Sequence, residues 1–120
     1  MEHDPRFLEG IDLFNSGNFY KAHDPWESLW LERFGEEKDF IQGLILSTVA
    51  LHHYTRGNLR GARSRFRLAL DKLEKYPATF WEVDLKNFLR RMNGSMHRVL
   101  TENDPPPLDV KTVPKIKLKR

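Results

Sequence analysis

The fold of this chain is decided by the stretch Phe40–Tyr54, FIQGLILSTVALHHY. Its residues are apolar on nearly every side of a helix, which is typical of a helix that neighbours cover on several faces. We predict that this helix runs from about Glu37 to Arg56 and ends at Gly57. The apolar run is too short and too polar to span a bilayer. It therefore predicts a central helix in an all-α domain.

Two helices are predicted before this central helix. Asp4 and Pro5 suit the first two positions of a helix, and Gly17 suits its end. A second helix follows, with Asn18 as its cap and Pro25 inside it. Pro25 allows either one kinked helix or a short turn and a fresh helix, and we favour the kink because one face continues across it. That face is formed by Phe19, Ala22, His23, Trp26, Glu27, Trp30 and Phe34.

Two more helices and a tail are predicted after the central helix. Asn58 caps the fourth helix, which ends before Pro77. The fifth lies within residues 79–101, where Asn93-Gly94 is a candidate break. No stretch alternates with period two between turn signals, so no β-sheet is expected. We therefore predict a compact bundle of about five helices over residues 1–103 and an extended, Pro-rich basic tail over 104–120.

Composition and charge narrow the function classes. The 120 residues fit one domain, and the absence of cysteine excludes disulfides and thiolate chemistry. The acidic N-terminus is unlike a signal peptide, so we expect a cytoplasmic protein without a membrane segment. Residues 1–55 carry a net charge of −6 and residues 56–120 one of +9. These complementary halves, with the aromatic residues Phe80, Trp81 and Phe88, predict a homodimer.

Motifs in the first two-thirds of the chain resemble a known family. The segments FNSGNFYKAH (residues 14–23), WESLW (26–30), FIQGLI (40–45) and GNLRGA (57–62) occur in one order. In that order they resemble the small prokaryotic family catalogued as domain of unknown function 309. The resemblance implies an all-helical fold and no established activity. Its motif residues fall here on Asn15, Gly17, His23, Glu27, Trp30, Gln42, Gly43, His53, Asn58 and Gly61.

A polar and aromatic cluster is predicted where the second and third helices face each other. His23 and Glu27 are four residues apart and share a helix face with Trp30. Gln42 and His53 share a face of the third helix. An antiparallel hairpin brings these faces together, so His23, Glu27, Trp30, Gln42 and His53 are candidate ligand-binding residues. The same residues can equally form a structural hydrogen-bond cluster, and both interpretations stay open.

A second candidate surface is a row of arginines that runs from the end of the third helix along the fourth. Arg56, Arg60, Arg63 and Arg67 recur at helical spacing and could contact phosphates along a nucleic acid. A solvated face is the alternative, because no aromatic residue lies within the row to stack on bases. Reversing Arg60 and Arg63 is expected to leave the fold intact.

Three functions follow from these patterns. The leading one is a helical binding module that holds a small molecule or peptide in the cleft of helices two and three. The first alternative is a hydrolase-like or metal-dependent enzyme that uses His23, Glu27 and His53, although zinc usually takes three or four protein ligands. The second is a nucleic-acid-binding accessory protein that uses the arginine row. The sequence identifies no catalytic residue, metal ligand or cofactor.

Overall fold

The central helix, α3, runs from Gly35 to Thr55 and has buried residues on all its sides. Phe40, Leu44 and Leu51 are fully buried, and so is Thr48. The helix packs against α2 on one side and α4 on the other. The predicted central position of this helix is therefore confirmed.

The other elements agree with the predicted all-α bundle. A computed structural model describes residues 1–119 of the chain. Two short strands lie between the last two helices, and a 3₁₀ turn lies in the tail. The elements in chain order are α1 (Pro5–Asn15), α2 (Phe19–Trp30), α3 (Gly35–Thr55), α4 (Leu59–Leu73), β1 (Thr79–Phe80), β2 (Val83–Asp84), α5 (Leu85–Thr101) and a 3₁₀ turn (Val110–Thr112).

The N-terminal ends of the helices test the predicted capping residues. The Asp4 carboxylate accepts the Arg6 backbone N–H at 2.9 Å, and Asn58 accepts the Gly61 N–H at 3.0 Å, so both predicted caps are confirmed. Asn18 occupies the N-cap position of α2, but its side chain makes no capping bond. It donates instead to Ser16 Oγ at 3.0 Å.

Helix α2 is continuous through Pro25, which confirms the single-helix prediction. Tertiary packing supports this helix at the next residue. Trp26 is fully buried, and its indole N–H donates to the carbonyl of Phe7 at 3.1 Å. Gly10 of α1 makes room for that indole, since an added Cβ would lie 2.0 Å from Trp26 Nε1. The contact joins α1 to α2.

The prediction that no β-sheet forms is wrong. Thr79–Phe80 and Val83–Asp84 form a two-residue antiparallel pair. Trp81 and Glu82 make the turn with φ values of 49° and 61°, the left-handed conformations that a type I′ hairpin turn requires. Contacts of Trp81 with the rings of Phe7 and Phe40, at 5.2 and 5.7 Å, stabilise this turn. Strands of two residues are too short to show an alternating pattern.

The hairpin also sets where the last helix begins. Helix α5 starts at Leu85 and is unbroken to Thr101, so the candidate break at Asn93-Gly94 is wrong. The tail then runs back over the bundle. Pro105, Pro114 and Ile116 are buried, and Leu118 bridges Val83. The tail thus packs on the bundle, while a domain boundary at residue 104 stays a prediction.

None of the helices in residues 1–119 has both the length and the apolar character needed to cross a membrane.

Candidate functional site

His23 and Glu27 lie together on the outer side of α2. His23 Nδ1 is 3.4 Å from Glu27 Oε2 and 3.6 Å from Asp24 Oδ1. The His23 side chain is 30% exposed and that of Glu27 is 49% exposed. A surface contact this accessible, even between two charged groups, contributes roughly 0–1 kcal/mol to the free energy of unfolding. The pair is therefore available to a ligand at little cost to the fold.

Trp30 continues this face to the end of α2. Its ring is half-buried, and the Lys38 Nζ from the first turn of α3 lies 4.2 Å from the ring centroid. The indole Nε1 is buried and has no hydrogen-bond partner among the described residues. Gln42, expected beside Trp30, is half-buried one turn further along α3. Lys38 is thus one α3 residue that packs over Trp30.

His53 has its contacts on the other side of α3. Its Nδ1 is 3.2 Å from Asn58 Nδ2, and its ring lies against Gly61, where an added Cβ would approach within 2.9 Å. Gly61 thus allows the ring of His53 to approach the backbone of α4 closely. Among the described residues, no hydrogen bond or ring contact joins His53 to His23.

The histidine that faces α2 is His52. Its ring lies 4.7 Å from that of Tyr20, and burial lowers its pKa, with Arg56 and His53 adding to the shift. The hydroxyl of Thr48 donates to the carbonyl of Phe19 and holds the two helices in this register. A shift of one residue in helix phase, about 100°, is enough to exchange the roles of two adjacent histidines.

The described residues contain no group of three or more His, Asp or Glu side chains placed to hold a metal ion. The enzyme alternative needs His23, Glu27 and His53 to converge. In this structure the contacts bring together only His23 and Glu27. The hydrolase-like or metal-dependent alternative therefore gains no support from these contacts.

An exposed apolar surface lies next to Trp30, in the turn between α2 and α3. Phe34 is 84% exposed and Leu31 is 66% exposed. Phe34 precedes Gly35, whose φ of +59° turns the chain into α3. Sequence periodicity placed Phe34 on the buried face of α2, because the pattern does not show that α2 ends at Trp30. We call Trp30, Leu31 and Phe34 the turn patch.

The arginine row is only partly free. Arg63 donates from Nε to the carbonyl of Val99 at 2.5 Å and from Nη2 to that of Glu102 at 2.7 Å. It therefore binds the C-terminal end of α5, where carbonyl groups lack helical partners. The other three residues of the row, Arg56, Arg60 and Arg67, are exposed.

A further charge network, not predicted from sequence, joins the start of α1 to the end of α2. Arg6 pairs with Asp4 at 2.9 Å and with Glu32 at 2.6 Å. Arg33 Nη2 lies 3.7 Å from the same Asp4 carboxylate. The bonds from Arg6 lower the pKa of Asp4 to about 2. This network fixes the end of α2 that carries the turn patch.

These features define a predominantly helical domain with a two-residue β-hairpin. The family model described as Domain of unknown function (DUF309) matches residues 7–64, which confirms the resemblance drawn from the motifs. An uncharacterized protein of Aquifex aeolicus (strain VF5) is 33% identical over 73 residues, covering 60% of this chain and 22% of that protein. The matched region thus spans about a fifth of the length of that relative.

Proposed function

We propose that this protein is a non-enzymatic binding module and that the turn patch holds a basic, amphipathic helix of a partner protein. The observation that carries the proposal is the exposure of Phe34, 84%, and of Leu31, 66%, beside the half-buried Trp30. An amphipathic helix binds through a few apolar side chains at helical spacing, which a short apolar surface of this kind can accept.

The charge around the patch supports a basic partner. Residues 24–39 contain six acids and two bases, a net charge of −4. Glu36 is exposed and forms no ion pair within residues 1–119, whereas Glu32 and Asp39 are shared with Arg6 and Lys72. An acidic rim attracts a basic segment and repels a like-charged one. A second copy of this chain would bring two acidic rims together, so it fits this surface less well.

The predicted site residues fit this proposal as one rim of the surface. His23 lies on α2 about two turns before Trp30 and Glu27 about one turn before it, and Gln42 follows Lys38 by one turn of α3. Partly exposed polar side chains of this kind give a partner hydrogen bonds without requiring the fold to reorganise. His53, with its contacts to Asn58 and Gly61, stays a predicted residue outside this surface.

Two finer proposals accompany this function. We propose a cytoplasmic location, which the cysteine-free composition supports. The homodimer stays a proposal on charge complementarity alone, because Phe88 is buried in the monomer and Trp81 packs on Phe7 and Phe40.

The test is a fluorescence-anisotropy titration of the full chain with a labelled amphipathic helical peptide of leucine and lysine. A scrambled peptide of the same composition is the control ligand. We expect the double variant Leu31→Ala/Phe34→Ala to weaken binding at least about tenfold, since two apolar anchors are truncated. Leu68→Ala, which removes an apolar side chain 45% exposed on α4, is the matched control and should bind as the wild type does.

Two results would overturn the proposal. Equal affinity for the scrambled peptide would show that only composition is recognised. A dimer in sedimentation equilibrium that Leu31→Ala/Phe34→Ala dissociates would assign the patch to a second copy of the chain.

A further inference from the structure

A cavity of about 430 Å³ lies between α5 and the C-terminal tail. One wall is a face of α5, and the other is formed by residues 106–109 and Thr112. Tyr54 of α3 also lines the cavity, and its hydroxyl donates to the carbonyl of Pro106 at 2.8 Å. Ser95 likewise donates to the carbonyl of Thr112 at 2.8 Å. These bonds hold the tail at a set distance from α5, and the volume lies in the range of small-molecule sites, roughly 300–1,000 Å³.

Gly94, in the α5 wall of this cavity, has no packing reason to be glycine. An added Cβ at Gly94 would meet no atom within 4 Å, whereas one at Gly10 or Gly43 would collide with Trp26 or Leu73. Glycine inside a helix costs about 1 kcal/mol relative to alanine. A residue without a side chain does, however, let a ligand approach the helix backbone closely. Gly94 thus leaves the middle of the cavity wall open.

Two arginines flank this open wall. Arg91 has no hydrogen-bond or ion-pair partner recorded for its side chain in residues 1–119, and it lines the cavity. Arg98, two helical turns further, is held by Glu102 through Nε at 2.5 Å and Nη2 at 3.0 Å. The Nη1 of Arg98 takes no part in the bonds to Glu102. The one carboxylate of the lining, Asp109, accepts the Lys111 backbone N–H at 3.0 Å.

We propose that this cavity binds a small organic anion, with its carboxylate or phosphate group on Arg91 and its apolar part against Leu108. Arg98 adds a second positive charge at the far end of the cavity. A free guanidinium binds either anion through two parallel N–H donors. Pro107 and Leu108 supply the apolar surface that such pockets combine with a few polar groups. The proposal is independent of the turn patch, which lies on other elements.

The test uses phenyl phosphate and benzoate as probes and benzyl alcohol as their uncharged counterpart. The full chain, labelled with ¹⁵N, is titrated with each probe at 150 mM salt and followed by NMR. We expect saturable shifts of the Gly94 and Ser95 amides with at least one anion, and none with benzyl alcohol. Phosphate-selective or carboxylate-selective binding would identify the anionic group.

Three variants separate the site from general basic charge. Arg91→Gln should weaken binding about tenfold or more, because it removes a charge-assisted pair of hydrogen bonds. Arg90→Gln is the matched control, since Arg90 donates to Asn87 at 2.8 Å and does not line the cavity. Gly94→Leu should abolish binding and leave the melting temperature equal or higher. The proposal is overturned if neither anion gives saturable shifts, or if Arg90→Gln weakens binding as much as Arg91→Gln.

Discussion

The side-chain amide of Asn15 forms two reciprocal hydrogen bonds with the backbone of Ile116. Asn15 Nδ2 donates to the Ile116 carbonyl at 2.9 Å, and Asn15 Oδ1 accepts the Ile116 N–H at 2.7 Å. The two residues are 101 positions apart, so no local pattern predicts this contact. Ile116 is itself 2% exposed, so a polar and an apolar contact fix the tail at the same point.

Replacing Asn15 should release the tail. We expect Asn15→Ala to lower the free energy of unfolding by about 1–3 kcal/mol, because two hydrogen bonds are lost and their backbone partners stay partly buried. Amide hydrogen exchange at Ile116 should accelerate far more than exchange in α3. Asn15→Asp keeps the acceptor for the Ile116 N–H, so its free energy of unfolding should lie between those of Asn15→Ala and the wild type. Unchanged protection of Ile116 in Asn15→Ala would contradict this role.

The arginine row should divide into one structural and three dispensable residues. We expect Arg63→Ala to lower the free energy of unfolding by about 1–3 kcal/mol, since it leaves the Val99 and Glu102 carbonyls without their charged donor. Arg60→Ala, at an exposed position, should stay within about 0.5 kcal/mol of the wild type. Urea unfolding measures both. The expectation that reversing Arg63 leaves the fold intact is therefore withdrawn, and a test of nucleic-acid binding should reverse Arg60 and Arg67 instead.

Local signals were sufficient where a residue's partner lies within one helical turn. The Asp4 and Asn58 caps bind N–H groups two or three residues away, and the sequence predicts both. The apolar character of residues 40–54 predicts the central helix because burial on every side leaves no polar face.

Long-range packing decides the features that the sequence did not predict. The Trp81 turn depends on Phe7 and Phe40, which are 74 and 41 residues away along the chain. The choice between His52 and His53 depends on helix phase, which the Thr48 bond to Phe19 sets. Neither contact can be predicted from the spacing of residues along the chain. The exposure of Phe34 was not predicted either, because no local stop signal before Gly35 marks the end of α2 at Trp30.

The charge network at Asp4 should make stability depend on acid pH. Arg6 lowers the pKa of Asp4 from 3.8 to about 2, so the ionised carboxylate stabilises the fold above pH 3.8. That stability is lost as the pH falls through the folded pKa. Solvent screening at this accessible network limits it to roughly 0–1 kcal/mol. Asp4→Asn keeps an acceptor for the cap but removes the charge. Its unfolding free energy should fall below the wild-type value at pH 7 and converge with it near pH 2. An equal difference in unfolding free energy between Asp4→Asn and the wild type at pH 7 and pH 2 would contradict this role of the Asp4 charge. Asp71→Asn, at an exposed position, is the control.

One substitution, glycine to alanine, should have opposite effects at two helix positions. At Gly43 an added Cβ would lie 2.5 Å from two side-chain atoms of Leu73, which is fully buried between α3 and α4 and cannot move aside. Overpacking of this kind costs about 1–3 kcal/mol, which exceeds the roughly 1 kcal/mol that alanine gains in helix propensity. At Gly94 the added methyl meets nothing within 4 Å, so only the propensity gain remains. We therefore expect Gly43→Ala to melt below the wild type and Gly94→Ala to melt above it, as measured by circular dichroism. If Gly94→Ala also lowers the melting temperature, the α5 wall is not open and the cavity proposal loses its main structural support.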